Sequence, residues 1–225
     1  MLFGLIATDI IRTQEDLDAL PEGYTILGVA PQLGMLNYRD IRGPNSDEPD
    51  GRITADDREY LAKYSIPPIN YGLNLGLSWK AFKLDALIQG VAGHQIMLHA
   101  NARRVQGRAE ESTDRFWADH WTLENTDAAY PAARRYGWPP TDFPSSSWFM
   151  RSGSFARLKN VNFSFEFPQG ITNRLRMKSI RMFYNGTNLG LLYDKIGDWN
   201  HDPELNNIRA YPMMATHSLG LNIGL

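Results

Sequence analysis

The sequence predicts an all-β fold, an antiparallel segment of a transmembrane β-barrel with long loops, on three observations. Several segments alternate apolar and polar side chains, which is the period of a β-strand. The connectors between them are alternately short and long, as in barrels that have short turns at one end and long loops at the other. The strands also have roughly the 9–11 residues that cross a tilted bilayer.

The first predicted hairpin spans residues 70–92. Its first strand is Asn70–Trp79, its second strand is Phe82–Val91, and Lys80–Ala81 forms the tight turn between them. Apolar side chains share one face of the first strand, while Gly, Asn and Ser occupy the other face. The apolar set is Tyr71, Leu73, Leu75, Leu77 and Trp79.

A second hairpin is predicted over residues 155–189, and a terminal strand over 213–225. Both keep the alternation of apolar and polar positions. The apolar positions are Val161, Phe163, Phe165, Ile180, Met182, Tyr184, Leu219, Leu221 and Ile223. The remaining stretches, 1–69, 93–154 and 190–212, are mostly aperiodic and are predicted to be loops.

Composition excludes several classes of function. The net charge of -2 and the scattered Lys and Arg give no basic patch, so nucleic acid is not a predicted partner. The absence of cysteine excludes disulfides, Cys-ligated zinc and thiol catalysis. No apolar run reaches the roughly 20 residues of a membrane-spanning helix. This composition is compatible with an envelope protein.

Two motifs in the strands resemble those of SusC/RagA-type TonB-linked outer-membrane transporters. The segment Ser154–Phe167 begins S-F-A-R-L-K-N-V and resembles the family's S-F-x-R-L-K-N-I stretch. The segment Ile180–Leu189 resembles its strand of the form hydrophobic-Arg-hydrophobic-Tyr, which ends in Asn-Leu. Further segments match the family in the same order, so that the resemblance extends over nearly the whole chain. Three lie before the strand motifs and one after them: Tyr38–Asp40, Asp50–Asp57, Pro67–Gly72 and Asp202–Glu204.

The resemblance implies that this chain is the C-terminal part of a 22-stranded barrel, incomplete by itself. The family's signal peptide, TonB box and plug domain have no counterpart in this sequence, so we expect a fragment that does not transport alone. In the orientation of the family, the C-terminus is periplasmic and the long loops are extracellular.

The resemblance also implies a function, which is TonB-dependent import of oligosaccharides or peptides across the outer membrane in a SusCD-like complex. The expected partners are a SusD-like surface lipoprotein, membrane lipid, and TonB–ExbB–ExbD, which supplies energy through the missing N-terminal part. The alternative is a secreted or surface β-rich module that binds glycans with its loops. In the importer the apolar faces of the strands contact lipid, whereas in the glycan-binding module they pack against a second sheet.

Tryptophans are concentrated in the predicted loops, at positions 117, 121, 138, 148 and 199. Aromatic rings can stack on a sugar ring or form a docking surface for a partner protein. We therefore take Trp117, Trp121, Trp138, Trp148 and Trp199 as candidate contacts with a substrate or partner. The alternative is that they pack the loops against one another.

An acidic segment suggests a binding site for a calcium ion, and this ion is the cofactor that the sequence suggests. Around Gly51, the offsets of an EF-hand-like loop fall on Ser46, Glu48, Asp50, the Arg52 carbonyl and Asp57. The alternative is a solvated acidic turn.

No catalytic motif supports an enzyme. The five histidines lack the H-E-x-x-H spacing of a zinc site, and no P-loop or nucleophile elbow occurs. Asp202 and Glu204 supply the two carboxylates that glycoside hydrolysis requires, but the resemblance assigns them to an extracellular loop.

Overall fold

The computed structural model describes residues 2–100, 102–103, 114–133, 144–199, 201–205, 211 and 213–225. In chain order its strands are β1 (Leu2–Leu5), β2 (Ala7–Ile10), β3 (Thr25–Ile26), β4 (Leu36–Tyr38), β5 (Arg52–Ile53), β6 (Arg58–Ala62), β7 (Ile69–Trp79), β8 (Phe82–Ala92), β9 (Gln95–Met97), β10 (Met150–Ser152), β11 (Phe155–Glu166), β12 (Ser179–Asp194) and β13 (Thr216–Gly224). The helices are α1 (Gln14–Asp18) and α2 (Gln169–Arg174), with 3-10 turns at Arg115–Ala118, Ser147–Phe149 and Gly197–Trp199. Within the described residues, no helix is long and apolar enough to cross a membrane.

Five long strands form one antiparallel sheet, which we call the wall. Their order across the sheet is β7-β8-β11-β12-β13, so the strands of this sheet follow one another in chain order, with β9 and β10 in the connection between β8 and β11. The turn at 80–81 and the connection that contains α2 lie at one end of the wall, while the long connections leave from the other end. This arrangement confirms the predicted all-β fold with short and long connectors.

The register of the wall brings the apolar positions of all five strands into common rows. One row is Leu77, Leu84, Phe163, Tyr184 and Leu219, and the next is Trp79, Phe82, Phe165, Met182 and Leu221. The Phe82 ring lies 4.7 Å from the Phe165 ring and 5.8 Å from the Phe163 ring, between centroids. We call this side of the wall the outer face and the opposite side the inner face.

The described residues within 2–65, 94–153 and 195–205 form a second region, which we call the loop domain. Its short strands pair as β1 with β6, β2 with β4, β3 with β5 and β9 with β10. Apolar side chains from all three stretches of chain form one buried core. The largest members that are almost completely buried are Trp117, Tyr130, Phe149, Leu5, Ile26, Ile53 and Ile196. The long connectors are therefore packed structure with a core of their own.

The stretches predicted to be loops contain the eight short strands β1–β6, β9 and β10. Within the wall, strand bounds differ from the sequence prediction mainly at one place. The strand predicted to end at residue 189 continues to Asp194, because Arg157, Ala156 and Phe155 of β11 pair with Leu191, Tyr193 and Asp194. Register shifts between Ala156 and Arg157 and between Leu158 and Asn160 make the pairing of this extension irregular. The terminal strand covers Thr216–Gly224, inside the predicted 213–225.

Candidate functional site

The outer face of the wall is open. Leu73, Leu75 and Leu77 are 52%, 47% and 66% exposed, and no strand of the described chain covers them. Further exposed apolar side chains continue the surface across the other strands: Trp79, Phe82, Phe163, Met182, Leu219, Leu221 and Ile223. Soluble proteins rarely expose apolar patches that extend over so many adjacent residues.

The inner face carries the polar and charged side chains of the same strands. One row across it is Gly76, Asp85, Asn162, Asn185 and Ser218. Lys83 and Glu166 form an ion pair on this face, with 3.1 Å between Nζ and Oε1. Asp85 and Arg181 occupy inner-face positions by the same register. The wall is therefore amphipathic, with apolar side chains on one side and amide, hydroxyl and charged groups on the other.

Four charged side chains, which we call the junction cluster, join the wall to the loop domain. Arg157 donates from Nη2 to both carboxylate oxygens of Asp202, at 2.6 and 2.7 Å. The Nε atom of Arg157 lies 2.9 Å from Glu204, whose other oxygen accepts from Lys159 Nζ at 2.9 Å. The Arg157 side chain is only 4% exposed. Two cations of β11 thus hold the loop that contains Asp202 and Glu204.

The junction cluster links two motifs that sequence reasoning treated separately. Arg157 and Lys159 belong to the segment Ser154–Phe167, and their partners lie 45 residues later. The signal available in the sequence was a pair of cations in one motif and a pair of carboxylates in another. Since both carboxylates are bound by cations, the geometry gives Asp202 and Glu204 a structural role.

The acidic segment holds its own turns through backbone hydrogen bonds. Asp57 is completely buried and accepts from the backbone N–H groups of Ile41, Arg42 and Thr54, at 2.7–3.1 Å. Asp40 accepts from the N–H of Gly51 at 2.7 Å, next to Asp50, which accepts from Arg52 N–H. Ser46 accepts from Glu48 N–H through its Oγ atom.

These carboxylates also affect a neighbouring tyrosine. Burial, together with the carboxylates of Asp40 and Asp57, raises the pKa of Tyr24 to about 12. Across the described residues, no three His, Asp or Glu side chains are grouped to hold a metal ion. The calcium site with Ser46, Glu48, Asp50, Arg52 and Asp57 as ligands stays a prediction.

Three of the candidate tryptophans belong to the core of the loop domain. Trp117 and Trp199 are each 2% exposed and Trp121 is 8% exposed. Their indole N–H groups donate to the Ala102 carbonyl, the Tyr130 hydroxyl and the Arg12 carbonyl. The geometry therefore favours the packing role for these three rings.

The remaining two tryptophans differ from these. Trp148 is half-buried and packs on the edge of the core, whereas Trp138 lies outside the described residues. A contact of Trp148 or Trp138 with a substrate or partner stays a prediction.

A cavity of about 370 Å³ lies where the inner face of the wall meets the loop domain, and we call it the junction cavity. Its apolar lining is Pro67, Val91, Ile96, Phe155 and Pro203, and its polar lining is Ser65, Gln89, His94 and Glu204. His94 is 5% exposed, and burial lowers its pKa. Sequence reasoning missed this site because its residues come from separate stretches of the chain.

Comparisons with known proteins give relatives of one kind. TonB-dependent receptor P3 of Formosa agariphila is 26% identical over 218 residues, which are 90% of this chain and 20% of the relative. TonB-dependent receptor P26 of the same organism is 28% identical over 223 residues, which are 94% of this chain and 21% of that relative. No family model matches the chain.

Solved structures of the RagAB peptide importer have the same fold. The open-open state superposes with a TM-score of 0.66 and 19% identity, covering 99% of this chain and 22% of that one. The closed-closed state gives a TM-score of 0.67 at 19% identity, covering 98% and 22%. The predicted resemblance to TonB-linked transporters is confirmed. The chain spans about a fifth of the length of the curated relatives it matches. Its wall is an open segment of a β-barrel.

Proposed function

We propose that this chain forms part of the barrel wall of a TonB-dependent outer-membrane importer. The outer face carries the proposal, because an exposed apolar surface that crosses all five strands suits the hydrocarbon of a bilayer. The inner face, with its amides, hydroxyls and ion pair, suits a watery lumen.

The wall completes a barrel only together with further strands. In the described sheet, β7 and β13 each pair on one side alone, which leaves a row of backbone N–H and C=O groups free on each. Lipid cannot satisfy such groups, and the smallest barrels have about 8 strands. We therefore place the five strands within a larger barrel and expect no transport by the wall alone.

The orientation follows from the connectors. The short turn at 80–81 and the α2 connection face the periplasm together with the C-terminus, while the loop domain lies outside the cell. Transmembrane barrels have this asymmetry. The loop domain buries its apolar side chains in a core of its own, as a domain surrounded by water does. This packing supports its assignment to the extracellular side.

The proposed cargo is an oligosaccharide or a peptide. The relatives are named as receptors and the solved structures as peptide importers, which supports uptake as the function. The proposed partners are a SusD-like surface lipoprotein on the loop domain and the TonB–ExbB–ExbD complex, which would act on parts of the protein other than the wall. No catalytic step is assigned, since Arg157 and Lys159 bind the carboxylates of Asp202 and Glu204.

Two adjacent residues of β7 provide the test. Leu75 is on the outer face and Asn74 on the inner face, near the middle of the strand. In lipid, Leu75→Arg should destabilise the assembled barrel by about 2–4 kcal/mol, whereas Asn74→Arg should have an effect near zero. Denaturant titration of the barrel in lipid vesicles measures both.

The same pair of variants distinguishes the alternative. In a secreted glycan-binding module with a second sheet on the outer face, the protein would fold without lipid. Folding of the unmodified chain in buffer alone, with equal stability of the two variants in lipid and in buffer, would contradict the barrel.

A further inference from the structure

The two short connections of the wall carry cations that are scattered in the sequence and that the fold brings to one end of the molecule. The turn between β7 and β8 lies beside the connection that contains α2, since the N–H of Glu166 donates to the Ala81 carbonyl at 2.9 Å. Together with the apolar Ile171 and Leu175 of that connection, the cations form a surface that we call the turn patch. The four cations, all exposed, are Lys80, Arg174, Arg176 and Lys178.

The charge of the turn patch is not balanced by carboxylates of the two connections. Neither the turn at 80–81 nor the stretch 167–178 contains an Asp or Glu. Glu166, which precedes α2, is already paired with Lys83 at 3.1 Å. Within the part of the chain that the structure describes, the three cations near α2 form no side-chain hydrogen bond or ion pair. An anionic ligand would supply the missing partners.

Two of these cations occupy backbone positions that favour glycine. The φ angle is 53° at Lys80 and 56° at Arg176, in the left-handed region. Arg176 directly follows the end of α2, where the N–H of Met177 donates back to the Thr172 carbonyl at 2.9 Å. Glycine is the usual residue at this position of a helix end. A cation at both strained positions indicates that its charge, and not its backbone, is needed there.

Apolar side chains lie beside the cations. Ile171 and Leu175 are one helical turn apart on α2 and are both about half exposed, whereas Thr172 is buried. The Nζ atom of Lys80 lies 4.8 Å from the centre of the Trp79 ring, which belongs to the outer face. The turn patch therefore combines exposed apolar groups with cations next to the outer face, which is typical of segments that lie in a membrane interface.

We propose that the turn patch binds the phosphate head groups of anionic phospholipids. This inference rests on the proposed function, because the patch meets head groups only if the wall crosses a bilayer. Guanidinium groups pair with phosphate oxygens through two N–H donors, and the patch has two of them. Ile171 and Leu175 would enter the boundary with the acyl chains. A zwitterionic phospholipid binds less strongly, because its own amine lies next to the phosphate and repels the cations.

The barrel assembled with its remaining strands in lipid vesicles tests the proposal. A fluorophore at Asn173→Cys, an exposed position of α2, reports the lipid at the turn patch, and this chain contains no other cysteine. The probes are phosphatidylglycerol and phosphatidylcholine with brominated acyl chains, which quench the fluorophore on contact. At low salt, phosphatidylglycerol should be preferred at least about tenfold. The preference should fall in about 1 M salt, which screens the charges.

One double variant separates the charge from the fold. Lys80→Gly with Arg176→Gly removes two cations and should lower the preference for phosphatidylglycerol at least about fivefold. Its stability in denaturant should stay equal or rise, because glycine adopts both left-handed positions without strain. A purely structural role of the two side chains predicts a loss of stability instead. The matched control, Arg52→Gln with Arg58→Gln, removes the same charge from exposed positions of the loop domain and should leave the preference unchanged.

Three results would overturn the inference. Equal quenching by the two lipids in the unmodified barrel would show that the turn patch does not select anionic head groups. An unchanged preference in the Lys80→Gly, Arg176→Gly variant would assign the selection to other residues. Displacement of phosphatidylglycerol by inorganic phosphate at constant ionic strength would show a site for a free ion. Failure of the import proposal itself appears elsewhere, as equal behaviour of the Leu75→Arg and Asn74→Arg variants in lipid.

Discussion

The wall and the loop domain place the same kinds of side chain in opposite surroundings. Trp79 of the wall is 65% exposed, whereas Trp117 of the loop domain is 2% exposed. In the wall, the apolar side chains point away from the protein, and in the loop domain they point into a shared core. Under the proposed function, this difference corresponds to two solvents, which are lipid around the wall and water around the loop domain.

The two regions also hold charges differently. The Lys83–Glu166 pair of the wall is about half exposed on both side chains, while Arg157 of the junction cluster is almost completely buried. Surface ion pairs contribute little to stability, but the loss of one partner from a buried pair is costly. We therefore expect the attachment of the loop domain to depend on the junction cluster.

The largest expected effect comes from removing a ring of the core. Trp117→Ala should destabilise the loop domain by about 3–5 kcal/mol, because it leaves a cavity and removes the donor to the Ala102 carbonyl. Trp79→Ala is the matched control and should leave the loop domain unchanged. Urea unfolding followed by near-ultraviolet circular dichroism measures both. Equal losses in the two variants would show that the regions do not differ as described.

The second comparison removes one cation from each region. Arg157→Met leaves Asp202 without its bidentate partner and should lower the free energy of unfolding by about 2–3 kcal/mol. This is less than the loss expected for a fully buried ion pair, because the carboxylates of Asp202 and Glu204 are partly exposed. Lys83→Met breaks the exposed pair and should cost less than about 1 kcal/mol.

Limited proteolysis shows where the effect of the cations lies. In Arg157→Met, cleavage should increase between β12 and β13, where Asp202 and Glu204 are no longer held. An unchanged cleavage pattern in this variant would contradict a role of the cluster in attachment.

The smallest expected effect is a pH dependence at the boundary of the two regions. Burial lowers the pKa of His94, so the folded state favours its neutral form. Stability is therefore highest above the pKa of an unfolded histidine, about 6.5, where His94 is neutral in both states. It is lost as the pH falls from there towards the lowered pKa of the folded state. Glu204 is the acidic side chain of the described cavity lining, and the side chains of Arg157 and Lys159 lie beside it.

The variant His94→Gln isolates this effect. It should have a flatter dependence of loop-domain stability on pH between 7.5 and roughly 5 than the unmodified protein. Thermal unfolding at several pH values measures the slope. Identical slopes in the two proteins would exclude His94 as the titrating group.

The wall was predictable from the sequence because its strands follow a local rule. Alternation with a period of two marks the outer positions Leu73, Leu75 and Leu77 without knowledge of the rest of the chain. Pairing in register then requires only that the apolar positions face the same side. The end of β12 was predicted too early, since two register shifts against β11, at Ala156/Arg157 and Leu158/Asn160, interrupt the alternation that marks a strand.

The loop domain was not predictable in the same way because its contacts join distant residues. Trp121 donates to the carbonyl of Arg12, which is 109 residues away, and Arg157 binds Asp202 across 45 residues. No periodic signal marks such pairs. The loop tryptophans were therefore equally compatible with a binding surface and with a core, and the geometry favours the core for Trp117, Trp121 and Trp199.

The most direct test of the central claim is a spin-label scan of β7 in lipid vesicles. Single labels at residues 73–77, in the chain assembled into its barrel, report collisions with oxygen, which partitions into lipid, and with a water-soluble nickel complex. We expect oxygen accessibility to peak at positions 73, 75 and 77 and nickel accessibility to peak at 74 and 76. Uniform accessibility to the nickel complex, or protection of positions 73, 75 and 77 from both reagents, would contradict a lipid-facing outer face.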